Sequence, residues 1–360
     1  MNQPQPLIQT HVMPLTTIRC ERLLPWPGEV LVGAAQRVDP SDVVARAGQP
    51  RPHLVVDVVK KLRISQEEAE RSILKGPGAT IRQGDLLAQY KEGFWGSRKI
   101  GSPVEGTVVA IRAGRMLIEP APTLYELRAA LSGLVVAATP GFGVAIETPG
   151  ALIQGIWGSG REGYGVLKIG VMERGASMTA QQIDVSHHGT ILVCGASLDL
   201  ALLEKAQELQ VRGLIVGGVP ARLLKHLSRQ IIPVIATEGI GQFPISANIF
   251  TLLEANEGRE TTMLAATPQR WESRRPEIII PLPAGAGAPP PPPGPGRELA
   301  AGQKVRIRRA PYWGKSGTIK TLYDRPRRLE NDLKQLGADV VLEDGTVVFV
   351  PYVNLDIISS

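Results

Sequence analysis

The sequence predicts a multidomain, β-rich chain: a large β domain, a small α/β domain and a C-terminal barrel of short strands. Three observations predict it. The tract AGAGAPPPPPGPG (residues 284–296) has nothing to bury and its prolines favour an extended spacer, so the chain divides there. Well ahead of it, two stretches repeat themselves in the grammar of strand, Gly/Pro-marked turn and strand. Between the repeats and the spacer, near-continuous apolar runs alternate with leucine-rich helical segments, the pattern of a parallel sheet covered on both faces. The resulting boundaries are 1–180 for the β-rich region with its repeats, 181–283 for the α/β domain, 284–297 for the linker and 298–360 for the barrel.

At 360 residues each part can bury its own core without staples. The two cysteines, Cys20 and Cys194, are far apart and lack metal spacing, so neither a disulfide framework nor a zinc knuckle is expected. No apolar run reaches the roughly 18 residues of a membrane helix, and MNQPQPLIQTHVMPL lacks the basic start and apolar core of a signal peptide. A cytoplasmic protein with no membrane contact is the expectation. The net charge of +6 is modest, but its excess is concentrated near the C-terminus.

The octet VDPSDVVA (Val38–Ala45) matches IRQGDLLA (Ile81–Ala88): an apolar residue, a turn, an aspartate, two aliphatics and alanine. GTVVAIRAGRMLIE, from Gly106, resembles GLVVAATPGFGVAIE, from Gly133, with one residue inserted. SQEEAERSIL interrupts the β pattern with a helix start, Ser65 as cap and Glu67 and Glu68 in the first turn. Further on, TILVCGAS, GLIVGGV and IPVIATE read as strands, and LDLALLEKAQELQ and PARLLKHLSRQ as the helices between them.

With GDLLA (Gly84–Ala88) and GSPVEGTVV (Gly101–Val109), residues 28–120 resemble the barrel-sandwich hybrid fold of biotinyl and lipoyl domains. The resemblance implies a lysine at a hairpin tip as the cofactor acceptor, a position held here by Trp95. Lys91 comes too early, and Lys99 abuts the following strand. The scaffold is therefore read without its swinging arm, and no cofactor is expected. Phe94 and Trp95, flanked by glycines, are instead candidate partner-binding anchors.

The glycine-dense GALIQGIWGSGREGYG (Gly150–Gly165) lacks the strand-then-helix context of a phosphate loop and reads as turns in a β layer. The α/β segment resembles the swivelling phosphohistidine domain of the phosphoenolpyruvate-utilising enzymes, but Gly217 and Gly218 are followed by Val219, Pro220 and Ala221, where that family carries a Ser-His pair. His187 and His188 are adjacent, so their side chains diverge on an extended segment, and Asp184 is the one close acid; no metal site is expected. His226 reads as a packed or solvated helix residue. Glu238 and Gly239 fall at the carboxyl end of a strand, where α/β ligands commonly bind.

AAGQKVRIRRAPYWGKSGTIKTLYD (Ala300–Asp324) resembles the KOW motif of the transcription factor NusG, its relatives and several ribosomal proteins, through Gly302, Gln303, Pro311, Gly314, Gly317 and the strands either side. Val305 and Ile307 alternate with Lys304, Arg306 and Arg308, one face for a core and one for water or an acidic partner. ADVVLEDGTVVFVPYVNLDII adds a hairpin around Glu343, Asp344 and Gly345 and a closing strand, completing a five-stranded SH3-like barrel. PRRLENDLKQLG (Pro326–Gly337) is a departure from the family, read as a helical insertion.

Lys304, Arg306, Arg308, Arg309, Lys315, Lys320, Arg325, Arg327 and Arg328, with Tyr312 and Trp313 interleaved, have the composition that phosphate contact and base stacking require. The sequence thus leads to a non-enzymatic adaptor, since three catalytic patterns each lack the reactive residue. The spacer projects a KOW barrel toward RNA, a ribonucleoprotein or RNA polymerase in transcription or translation. The alternative is a docking subunit of a redox or acyl-carrier enzyme complex, working through the barrel-sandwich half; a third reading is a protein-binding scaffold centred on Phe94 and Trp95.

Overall fold

The computed structural model describes residues 9–92, 96–267, 275–283, 290–291, 299–329 and 332–359. The chain opens on a long strand, β1 (Gln9–Leu23), followed by β2 (Glu29–Val30), β3 (Arg37–Val38) and β4 (Val43–Gln49). It then leaves this layer to build a second unit. That unit holds β5 (Leu54–Asp57), α1 (Val58–Leu62), α2 (Gln66–Ser72), β6 (Thr80–Ile81), β7 (Leu86–Glu92), β8 (Gly96–Gly101), β9 (Gly106–Arg112) and β10 (Arg115–Pro120). The chain returns as β11 (Thr123–Arg128), β12 (Gly133–Thr139) and β13 (Gly143–Gln154). β4 and β11 pair antiparallel with Gln49 opposite Thr123, so the whole second unit sits at the tip of their hairpin.

The two sequence echoes are two copies of one arrangement, the second nested inside the first. In the outer copy Val38 pairs with Gly133, Val43 with Arg128, Ala45 with Leu127 and Gln49 with Thr123. In the inner copy Ile81 pairs with Gly106, Leu86 with Gly101, Ala88 with Ile100 and Glu92 with Gly96. Both hairpins shift register at the same place, and each opening turn is closed by the repeated aspartate. Asp42 accepts from the Asp39 amide at 2.8 Å and Asp85 from the Arg82 amide at 3.0 Å. The repeated apolar residues Val44, Ala45, Leu87 and Ala88 are fully buried in separate cores. The small side of the repeat is needed too: a Cβ on Gly106 would meet the Glu119 carbonyl oxygen at 2.1 Å, and one on Gly133 the Glu147 carbonyl oxygen at 2.6 Å.

The α/β layer follows: β14 (Trp157–Gly158), β15 (Arg161–Ile169), β16 (Thr190–Gly195), α3 (Leu200–Glu208), β17 (Gly213–Val219), α4 (Leu224–Leu227), β18 (Val234–Ile240) and α5 (Ala247–Glu254). Strands β15 to β18 are parallel, and β16 and β17 are buried along their whole length, as continuous apolar runs require. The first strand of this parallel set, β15, comes from the range expected to belong to the N-terminal β region. β19 (Glu260–Ala265) and β20 (Glu277–Pro281) run antiparallel and join β15 to β13, so the sheet passes without interruption from the α/β layer into the outer copy. Glycine-dense residues 150–165 form the end of β13, β14 and the start of β15, a β layer as expected.

The C-terminal part holds β21 (Lys304–Ile307), β22 (Ser316–Leu322), β23 (Arg327–Arg328), β24 (Lys334–Gln335), β25 (Gly337–Leu342), β26 (Val347–Pro351) and β27 (Leu355–Ser359). Five of these run in the order β27-β21-β22-β25-β26 around a core containing Val305, Ile307, Ile319, Val340, Val350 and Leu355. The helix expected within 326–337 is not formed: β23 and β24 pair antiparallel there. In this extended backbone Arg327 lies over the Tyr323 ring, 3.7 Å from its centroid, and Asp332 takes a left-handed φ of 64° that interrupts a helix.

This C-terminal unit is packed onto the body rather than projected from it. β27 pairs in parallel with the start of β1, Gln9 opposite Ile357. The proline tract is itself tied down at one point, where the Thr17 amide donates to the Pro290 carbonyl at 2.7 Å and the Thr16 hydroxyl to that of Pro291 at 3.0 Å.

Candidate partner-binding groove of the C-terminal barrel

The cationic residues singled out in the sequence separate into three groups. Arg306 is not a surface residue: it is 2% exposed and lies between two carboxylates. One guanidinium nitrogen donates to Glu238 Oε2 at 3.0 Å, and the other to Asp356 Oδ2 at 2.9 Å. Burial acts to lower the Arg306 pKa, but the charges and hydrogen bonds of Glu238 and Asp356 overcome it and hold the group above its ordinary value. Trp313 joins the same contact, stacked on Phe243 with ring centroids 4.7 Å apart and planes 12° from parallel. Arg306 and Trp313 are therefore corrected from nucleic-acid contacts to the clamp that seats the barrel on the α/β layer.

The second group is cationic, outward and already matched. Lys315 stands 3.8 Å from Asp344, Arg327 3.4 Å from Asp339, and Arg328 2.9 Å from Asp332. These are exposed pairs, worth little in stability and readily exchanged for another anion. The third group is without a carboxylate among the described residues: Lys304, Arg309, Lys320 and Arg325, with Arg308 half-buried beside Arg275.

Arg309, Tyr312 and Arg328 converge on an open groove of about 280 Å³. Its floor is apolar: Ile307, Pro311 and Leu329 on one side and residues 347–350 of β26 on the other. Lys315 lies 5.7 Å from the Tyr312 ring centroid, which adds a further cation beside it. Arginines at the rim of an apolar trough form a binding surface for an anionic ligand with apolar or planar parts.

Glu238, a weak positional hint in the sequence, lies at the carboxyl end of β18 and is buried. Its Oε1 accepts from the Ser246 amide at 3.0 Å, directly before α5. The crevice where an α/β ligand would enter is thus filled by the protein's own carboxylate and the barrel's Arg306. A carboxylate inside the apolar run IPVIATE was the signal that a cation must cover it.

Phe94 and Trp95 lie outside the described residues, so the partner-anchor reading is not addressed by the fold. Lys91 and Lys99 sit on the paired strands β7 and β8, opposite Ser97 and Gln89. His187 is buried, its Nδ1 3.0 Å from Asp184 Oδ1, whereas His188 is exposed with Nδ1 3.2 Å from the Leu209 carbonyl; the pair diverges at the end of a 3-10 turn, Val185–His187, rather than on the extended segment expected. Among the described residues no cluster of three or more His, Cys, Asp or Glu is placed to hold a metal ion. Nor is any helix among them long and apolar enough to cross a membrane.

The fold and groove define a β-rich chain with a nested structural repeat, a parallel α/β layer and a docked C-terminal unit of five ordered strands. No family model matches the chain, and no curated protein sequence matches it.

Proposed function

We propose that this chain is a non-enzymatic adaptor that recruits an anionic macromolecule through its KOW-like C-terminal barrel. The observation that carries the reading is the groove in which Arg309 and Arg328 flank an apolar floor beside Tyr312. Two further findings support it. Lys304, Lys320 and Arg325 have no carboxylate partner among the described residues and are exposed, so they add a diffuse positive field around the same small unit. The clamp at Arg306 fixes the barrel, so a ligand held there is positioned relative to the whole body. RNA, alone or in a ribonucleoprotein or a transcription complex, is the polyanion that the sequence favours.

Titration of the full chain against single-stranded RNA, duplex DNA and acidic polypeptide at low and physiological salt tests the proposal. Binding to at least one polyanion, weakening as salt rises, is the expected result. No binding to any of them at low salt overturns it.

A further inference from the structure

We infer that the partner taken by the groove is an extended acidic polypeptide segment, which adds as a strand to β26. This rests on the adaptor reading and gives its partner a class.

The argument starts from backbone pairing. β26 is the last strand of its sheet and pairs with β25 alone among the described residues. The Leu342 amide donates to the Thr346 carbonyl at 2.8 Å, and the Tyr352 amide to the Leu336 carbonyl at 3.0 Å. In an antiparallel ladder hydrogen-bonded pairs alternate with non-bonded ones, so Val348 and Val350 turn their peptide groups to β25. Val347 and Phe349 then turn theirs the other way. Their N–H and C=O groups face the groove, and no hydrogen bond to them is formed among the described residues outside the β25 ladder.

A free edge of this kind is a template for a further strand. Soluble proteins blunt such edges with short length, proline, bulges or inward charge. Here β26 ends at Pro351, but the preceding residues are Val347, Val348, Phe349 and Val350, an uninterrupted apolar run with no charge of its own. The trough beside them, about 280 Å³, is walled on its other side by a separate loop carrying Arg309, Ala310 and Pro311. Charge decides the sequence of the guest. Arg309 on that wall has no carboxylate partner among the described residues, and Arg328 is matched by an exposed ion pair with Asp332, so alternate acidic side chains on the added strand would meet both arginines.

An RNA strand fits the same arginines less well, because the open backbone groups of Val347 and Phe349 repeat at the strand spacing and the floor offers Tyr312 and Phe349 as its only aromatics among the lining residues.

The test is fluorescence anisotropy on the full chain with three labelled probes: a peptide alternating glutamate and valine, the same peptide N-methylated on every second amide, and a single-stranded oligouridylate. The plain peptide should bind, and N-methylation along the pairing edge should weaken it by about tenfold, roughly the loss of one or two net hydrogen bonds. Val347→Pro should weaken the plain peptide similarly, since proline removes the outward N–H while leaving the β25 ladder intact. Arg309→Glu should abolish binding in a chain whose fold is unchanged by circular dichroism. Equal affinity for both peptides overturns strand addition. Binding of the oligonucleotide but of neither peptide also overturns it and leaves the anionic-partner adaptor standing, whereas binding of none of the probes removes both.

Discussion

Among individual residues Arg306 has the largest consequence. A guanidinium taken out of water is tolerable only while Glu238 and Asp356 remain beside it, and each carboxylate in turn is paired with it, Asp356 with Arg275 at 3.7 Å as well. Replacing Arg306 with alanine removes the cation shared by two buried carboxylates and is expected to cost about 3–5 kcal/mol in a chemical denaturation experiment. Arg309→Ala, at the groove rim, should move stability by no more than about 0.5 kcal/mol in the same assay. The residue pattern had placed Arg306 on the face opposite Val305 and Ile307, and that assignment of faces is correct. What a strand's alternation does not contain is the identity of the neighbour, so the face read as one for water or an acidic partner is covered by β18 and Phe243. The companion signals were Glu238 and Asp356, acids set in apolar runs.

At the level of elements, short helices rest on their caps. Ser65 and Glu68 form a reciprocal capping box at α2, and Asp57 accepts from the Lys60 amide at the start of α1. Ser65→Ala should destabilise the inner copy by about 1 kcal/mol. The hydrogen bonds from the Ser65 backbone and hydroxyl hold Glu68 below its ordinary pKa, and that from the Lys60 backbone does the same for Asp57. A depressed carboxylate contributes stability above its unfolded pKa and loses it as pH falls through the folded value. Amide exchange at Lys60 and Ser65, the donors to the Asp57 and Glu68 carboxylates, should therefore remain slow at neutral pH and lose protection on acidification, relative to amides of the β9–β10 pair. Unchanged relative protection would contradict the capping role.

The repeated strands make a second prediction at this scale. Gly106 and Gly133 occupy equivalent sites, and each lies against a carbonyl of the neighbouring strand. Alanine at either should cost about 1–3 kcal/mol by overpacking, with Gly106→Ala the worse because its contact is the closer. Thermal unfolding of the two variants checks the order. The repeats and the α2 cap were visible because they are local patterns. The nesting was not, since it depends on which strands pair across the inserted unit. The missing helix within 326–337 has the same origin: Arg327 is fixed by Tyr323 and Asp339, partners that neither spacing nor propensity names.

For the whole molecule, the decisive question is what holds the barrel in place once the covalent link is removed. The linker composition suggested a free module, yet contacts among the described residues bypass the linker: the β1–β27 pairing, the Glu238–Arg306–Asp356 clamp with Arg275 beside Asp356, and the Phe243–Trp313 stack. Strand pairing supplies backbone hydrogen bonds that salt hardly affects, and the clamp is buried, where screening by ions is weak. A protease site inserted between Pro293 and Gly296, followed by cleavage and gel filtration, should therefore give two fragments that migrate together at low and at high salt. The same cut in an Arg306→Ala background should release the C-terminal fragment, because Glu238 and Asp356 then lose the cation they share and hydration competes with contact. Separation of the wild-type fragments at every salt concentration would mean that these contacts are too weak to position a ligand, and the barrel would revert to an independent module on a tether.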